Sequence, residues 1–368
     1  MRISIITSWA TDVLAGSGTA VFFQEFLAGL RERGFQVEII APNFDTQDYI
    51  DVTLQRFLFN TQLRTDPRIH HADVLIGFDY DGYGLDPANR PPLIASAHAI
   101  YGDVVQWESG PVQAMVMSQA FFDRVNMHNA DHVTVGSEYG KRRITELYGI
   151  APEKITAIPH GMATPPWMPL VDARPRTPND HPVVLAVGKM YPRKRVDLLV
   201  RAMPMLIEKY PTIEARIVGN GLEYENVRAL AVALGVDDHM TWLSHVADDE
   251  VFAHEWRQAD VFCHPSSQET FGYVYLEAMR LGKPIVATTA STGEEVIGDA
   301  GVLVAPNDPA ALAHGIDTLL ANPALREELS RRGRQRAARY TTAAMIDGYA
   351  HVIDQVMSKR YERVIVRR

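Results

Sequence analysis

The chain has 368 residues, a single cysteine, and 36 basic against 45 acidic side chains, a formal charge of −9. One cysteine excludes an internal disulfide and a cysteine-built zinc site, and the net acidity disfavours a nucleic-acid partner. No apolar run reaches the ~20 residues that a membrane-spanning helix needs.

Apolar residues make up 46% of the chain and charged ones 22%, the balance of a globular protein, and the length fits two domains. The opening MRISIITSWA is too short an apolar run for a secretion signal and reads as a first strand, so a cytoplasmic location is expected. Charge is unevenly spread: residues 1–165 carry 12 basic and 19 acidic side chains, whereas residues 326–368 carry 11 and 5.

In chain order, short apolar runs alternate with segments of helical period, the pattern of βα units and parallel sheets. The first predicted strand is Ile3–Thr7. A helix over 19–33 follows, with Phe22, Phe26 and Leu30 four residues apart and Gly34 as its stop. Further strands are predicted at Val37–Ala41, Val74–Phe78, Leu93–Ala97 and His132–Val135. Residues 162–182 hold six prolines without a clear period, which is linker composition. Strands then resume at Val183–Val187, Ala215–Val218, Met240–Leu243, Val261–His264, Ile285–Ala287 and Val302–Val304. Helices are predicted near 196–210, 223–234, 249–258, 272–281, 309–321, 323–338 and 341–358. The expected fold is α/β: two doubly wound, Rossmann-like domains with a cleft between them. Functional residues are then sought in the loops after strands.

The first such loop contains Gly16-Ser17-Gly18-Thr19 and leads into a helix. A dinucleotide site needs a small residue at position 21 and an acid closing the second strand; the chain has Val21 and Ile40-Ala41-Pro42. There is no G-x-x-x-x-G-K-[ST] string either, so the NAD and P-loop readings both fall.

The most informative stretch is PSSQETFGYVYLEAMRLGKPIVAT, residues 265–288. Glu269 lies in a polar loop and Glu277 eight residues on, an angular offset of about 80° on a helix, so both acids can face one cleft. Thr270-Phe271-Gly272 between them lets helix-terminal amides approach an anion. Upstream, VGKMYPRKRVDLLVRAM ends a strand at Gly188 and then places Lys189, Arg193, Lys194 and Arg195 within seven positions. Fixed cations after a strand suit a diphosphate leaving group, whose charge grows as its bond to a sugar breaks. Each piece alone also has a bland reading: a capping acid, a solvated helix acid, an exposed basic loop.

Together these pieces resemble family 4 of the retaining glycosyltransferases, enzymes of the two-domain GT-B fold. Glu269 and Glu277 match its E-x7-E motif, and VGKMYPRKRVDLLVRA resembles its strand-loop-helix motif. STGEEVIGDAGVLVAPND and AIPHGM resemble two further family segments, and the likeness is stronger over 183–308 than in the first half. The resemblance implies an acceptor-side domain at 1–165 and a nucleotide-sugar-binding domain at 166–340, with the last helix, about 341–368, packing back on the first. It implies transfer of a sugar from a nucleotide-diphosphate sugar with retention, without a metal or other cofactor.

By the same resemblance, Glu277 binds the ribose and Glu269 the donor-sugar hydroxyls. The backbone at Phe271, Gly272 and Tyr273 approaches the sugar and diphosphate. Gly188, Lys189 and Lys194 meet the phosphates, with Arg193 as an alternative because Lys189 stands where the family has arginine. Gly16 and Gly18 lie beside the diphosphate, and His245 and Val246 hold the base. His98 resembles the family's histidine near the donor sugar, so the expected catalytic set is His98, Lys194 and Glu269. The linker His160 is given no chemistry.

The donor is expected to be a UDP-sugar ahead of a GDP-sugar. The acceptor is a glycan, lipid or small molecule, with Tyr101, Asp103, Trp107 and Glu108 as candidate contacts. Segment 52–64 is amphipathic enough for peripheral membrane contact. The competing functions are a nucleotide-sugar epimerase-like GT-B enzyme and a non-catalytic nucleotide-sugar-binding subunit. Cys263, on the strand before the E-x7-E loop, is expected to be a buried core residue.

Overall fold

The computed structural model describes residues 1–9, 18–43, 48–176, 180–244 and 246–366. The chain divides into two compact units, residues 1–162 with 341–368, and residues 163–340.

The first unit is built on a six-stranded parallel sheet. Its strands are β1 (Arg2–Ile6), β2 (Gln36–Ile40), β3 (Val74–Phe78), β4 (Leu93–Ala97), β5 (His132–Val135) and β6 (Ile155–Ala157), in spatial order β2-β1-β3-β4-β5-β6. β3, β4 and β5 are buried at every position and are largely apolar, with Ser96, His132 and Thr134 as their buried polar residues; edge strand β2 alternates instead. On the helix Gly18–Glu32, Phe22, Phe26 and Leu30 are buried as their four-residue spacing predicts. The final helix, Thr342–Val366, packs on the same unit. The Tyr349 ring lies tilted against Phe26 with centroids 4.5 Å apart, and its hydroxyl lies 2.7 Å from the Ser96 hydroxyl.

The second unit carries β7 (Val183–Val187), β8 (Glu214–Val218), β9 (Met240–Leu243), β10 (Val261–His264), β11 (Ile285–Thr288) and β12 (Val302–Val304). All pair in parallel, in the order β12-β11-β10-β7-β8-β9. In each sheet the winding reverses once, between β1 and β3 in the first and between β7 and β10 in the second. Those crevices are where open α/β sheets bind ligands.

Two sequence expectations change. β6 and the helices Tyr49–Gln62, Gly110–Asn129 and Glu138–Tyr148 were not anticipated. The proline-rich stretch is also not a free linker. Trp167, Met168 and Val171 are buried, with Trp167 stacked 5.9 Å from Trp256, and the Arg257 guanidinium donates to the carbonyls of Leu170 and Val171. Burial of the aromatic and aliphatic residues between the prolines outweighs the composition. Cys263 is buried, and burial pushes its thiol pKa up, away from reactivity.

Candidate active site

In the second unit the loops after β7 and β10 are locked together by backbone geometry. Gly188 leaves β7 at φ +147° and its amide donates to the Val218 carbonyl at 2.9 Å. A Cβ on the facing Gly219 would stand 1.9 Å from the Gly188 carbonyl oxygen, so the turn requires glycine there. The chain then makes a tight turn at Pro192–Lys194 before the helix Val196–Lys209. The Arg193 carbonyl accepts from the Ser267 amide at 2.8 Å and the Ser266 hydroxyl at 3.3 Å.

This staple brings two of the anticipated residues into direct contact. The Lys194 ammonium donates to Glu269 Oε1, and His264 Nε2 donates to the same oxygen at 2.7 Å. An ionised carboxylate only accepts, so the imidazole proton resides on Nε2. Burial alone would raise the Glu269 pKa, but Lys194 and His264 outweigh it and hold the carboxyl well below the usual range. Burial lowers the Lys194 pKa, and Glu269 opposes that. Sequence reasoning did not single out His264. Its signal was its place at the end of a strand, five residues before the first acid of the motif.

The helix Tyr273–Arg280 begins at Gly272, whose φ is +90°; a Cβ there would lie 2.5 Å from the Tyr275 ring. Its N-cap residue is a glycine and so brings no capping side chain of its own, and the partial positive charge of the helix start faces the loop. Phe271 is itself buried against Tyr273 and Tyr340, and its carbonyl accepts from the Thr292 hydroxyl at 3.0 Å. Glu277 is partly buried on this helix, and among the described residues its carboxylate has no hydrogen-bond or ion-pair partner. Burial pushes its carboxyl up to about 7.

Of the remaining cations, Arg195 is fully engaged by Asp197 and Asn307. The Arg193 guanidinium lies 4.8 Å over the Tyr191 ring, and Lys189 reaches Asn220 only at 3.5 Å. Val246 is half-buried three residues beyond β9; His245 and Gly16 lie outside the described residues.

In the first unit the corresponding crevice is organised by two buried carboxylates. Asp79 follows β3 at φ +55°. Its Oδ1 accepts from the backbone amides of His98 at 2.7 Å and Ala99 at 2.9 Å, and its Oδ2 from the Trp9 indole at 2.7 Å. Asp81 takes the Ser8 amide and hydroxyl, both at 2.6 Å, and the Asn60 amide at 2.8 Å. Arg56, only 1% exposed, is sandwiched 4.3 Å from the Trp9 ring and 4.2 Å from the Tyr80 ring. Burial raises both carboxyl pKa values, while Arg56 and the donors favour the ionised forms.

His98 stands just beyond β4, between Phe22 at 4.2 Å and Phe78 at 4.4 Å. Its Nε2 lies 3.1 Å from the Ser96 hydroxyl, and its buried Nδ1 has no partner among the described residues. Burial lowers its pKa to about 3, so the ring is neutral across the physiological range. Gly18 is the first residue of the helix Gly18–Glu32.

The acceptor candidates lie largely below the surface, as the alternative reading of the two aromatics as packed under their loop expects. Asp103 is buried and paired with Arg143 at 2.8 Å and the Tyr139 hydroxyl at 2.9 Å. Tyr101 is buried with Arg56 at 3.4 Å from its hydroxyl, Glu108 is buried, and the Trp107 indole nitrogen is enclosed.

Comparison with known proteins fits this layout. A model described as "Glycosyltransferase Family 4" matches residues 16–164, and one described as "Glycosyl transferases group 1" matches 170–336. A sucrose-phosphate synthase from Thermosynechococcus elongatus superposes with a TM-score of 0.81 at 20% identity, covering 97% of this chain and 99% of that one. The glycosyltransferase WaaG superposes with a TM-score of 0.73 at 19% identity, covering 95% and 99%. The fold is therefore GT-B. The chain belongs to glycosyltransferase family 4.

Among curated relatives, a "GDP-mannose-dependent alpha-(1-6)-phosphatidylinositol monomannoside mannosyltransferase" of Mycolicibacterium smegmatis is 32% identical over 63% of this chain. A "D-inositol 3-phosphate glycosyltransferase" of Acidothermus cellulolyticus is 33% identical, also over 63%. The match spans 61% and 54% of those relatives' lengths. A "Phosphatidyl-myo-inositol mannosyltransferase" of Mycobacterium leprae is 28% identical over 97% of both chains.

Proposed function

We propose that this protein is a retaining glycosyltransferase that moves a sugar from a nucleoside-diphosphate sugar to an acceptor hydroxyl without a metal. The observation that carries the reading is the Lys194–Glu269–His264 cluster at the reversal point of the second sheet, beside the start of the helix that bears Glu277. Glu269 accepts hydroxyls of the donor sugar, and Glu277 accepts the ribose diol. Gly188, Lys189, Arg193 and Lys194, with the amides of Phe271, Gly272 and Tyr273, hold the diphosphate; Gly16 and Gly18 border it and Val246 the base. Residues 163–340 are thus the nucleotide-sugar domain, and residues 1–162 with 341–368 the acceptor-side domain.

Lys194 already neutralises Glu269, so it stands ready to share its charge with phosphate as that leaving group departs. The acceptor oxygen bonds to the anomeric carbon as the sugar–phosphate bond breaks on the same face, and the acceptor proton passes to a phosphate oxygen. His98, a neutral ring, contributes a hydrogen bond at the reacting sugar rather than a charge. Tyr101, Asp103, Trp107 and Glu108 remain the proposed acceptor-side residues.

The relatives' names move the donor preference from a UDP-sugar to a GDP-sugar, with GDP-mannose first. A panel of UDP-, GDP- and ADP-sugars tested for protection against thermal unfolding and for nucleotide release checks this. GDP-mannose is expected to protect and to release GDP; protection by none of the panel overturns the reading.

A lipid acceptor is favoured by one surface. Ile50, Leu54 and Leu58 form an exposed row on the helix Tyr49–Gln62, and Met117 and Phe121 another on the helix Gly110–Asn129. The two helices pack against each other through Phe57 and Phe122, and residues 110–122 carry no charge. Among the described residues no helix is long and apolar enough to cross a membrane, so this surface suits peripheral contact. Co-sedimentation with phosphatidylinositol-containing vesicles is expected for the native chain and lost in L58E/F121E; equal recovery of both overturns it.

A further inference from the structure

We infer that Asp79 is a positioning residue for transfer, acting through His98. The argument rests on the proposed role of His98 but adds a residue that the family motifs did not single out.

Three observations carry it. First, Asp79 holds a left-handed backbone conformation, φ +55°, that residues other than glycine seldom adopt. That conformation turns the carboxylate from the end of β3 toward two other strand-end loops. Second, among the described residues that carboxylate accepts three hydrogen bonds: from the His98 and Ala99 amides on one oxygen and the Trp9 indole on the other. Third, Asp79 is also tied through its own backbone. Its amide donates to the Ser96 carbonyl at 2.8 Å, and its carbonyl accepts from the Asn126 side chain at 2.8 Å. The carboxylate cannot swing away without breaking several buried bonds.

One side chain therefore fixes the loop after β1, at Trp9, and the loop after β4, at His98. The His98 backbone is held directly, and its ring is wedged between Phe22 and Phe78 with Nε2 on Ser96. The remaining nitrogen, Nδ1, is then aimed by the backbone that Asp79 clamps. Misplacing a reacting group by about 1 Å is enough to cost on the order of 100-fold in rate.

The substitution that tests this is Asp79→Asn. Asparagine tolerates the same left-handed backbone, so the fold is preserved, but its amide NH2 must now face an N–H donor on one side of the clamp. Turnover of GDP-mannose, or of whichever panel sugar is hydrolysed, is measured in the full chain for wild type, D79N, H98A and D79N/H98A. D79N is expected to lower kcat by roughly 10- to 100-fold with the donor KM changed less than about twofold, and to add less than about twofold once His98 is gone. The ring 15N signals of His98 should shift in D79N.

A D79N enzyme with wild-type kcat, or one that loses equally in both backgrounds, overturns the proposal while leaving His98 in place. An H98A enzyme with wild-type kcat overturns the role of His98 itself, and the proposal with it. Should D79N not fold, W9F removes only the indole donor, and the same pair of backgrounds decides at a smaller effect of about threefold.

Discussion

The two crevices are built on the same topological device and charged in opposite styles. In the second unit, the loops after β7 and β10 meet through an ion pair: Lys194 and His264 converge on one carboxylate oxygen. In the first, the loops after β1, β3 and β4 meet through a buried carboxylate that holds backbone amides, and the residue presented is a neutral histidine. On the function proposed above, the difference is a division of labour: a crevice proposed to hold a diphosphate needs fixed charge, and one proposed to touch a sugar hydroxyl or ring oxygen needs a hydrogen-bonding group that does not repel or attract the leaving anion.

The strongest attack on this contrast is K194M. It keeps the volume and deletes the charge, so kcat/KM is expected to fall by about 10³-fold, read by nucleotide release. A loss under tenfold would put the charge elsewhere, with Arg193 next in line. Smaller is His264→Gln, which retains a donor near Glu269 and is expected to cost about tenfold in kcat.

Glu277 sharpens the contrast by pH. A carboxylate that must accept a ribose diol is needed in its ionised form, and its pKa sits at about 7. Donor affinity should therefore rise with pH through about 7, changing up to about tenfold per unit below it, and flatten in E277Q; calorimetric titration from pH 5.5 to 8.5 reads this.

The mildest test concerns His98. Its folded pKa of about 3 is below the unfolded value of 6.5, so the unfolded chain binds the extra proton between them. Stability from this residue is complete above pH 6.5 and is lost as pH falls toward 3. H98N should unfold with a shallower acid dependence than wild type in parallel urea melts at pH 5 and 7.

Much of the second unit was legible in the sequence because its chemistry is local. Glu269 and Glu277 share one loop and helix, and the glycines at 188 and 272 sit where positive φ is required. The first unit hid its logic for physical reasons. Asp79 lies 19 residues from His98 and 70 from Trp9, and no local pattern announces a contact at that range. Nor does a left-handed backbone announce itself when its residue is an aspartate. The helix Gly110–Asn129 was missed because its apolar residues run round it, Met117 and Phe121 facing outward while Val116 and Met127 face the core. β6 is three residues long with one fully buried position, too little for a period to emerge.

The return of the helix Thr342–Val366 to the first unit has a consequence for how the protein is made. Residues 163–340 are contiguous and can assemble as soon as they leave the ribosome. The first unit has its sheet at the start of the chain and the Tyr349 that braces Ser96 near the end. Its nascent sheet must wait, with the groove for that helix uncovered, until the second unit has been synthesised. Chaperone demand during translation should therefore fall on the segment made first, and a deletion of the last helix should damage the half of the molecule farthest from it in sequence.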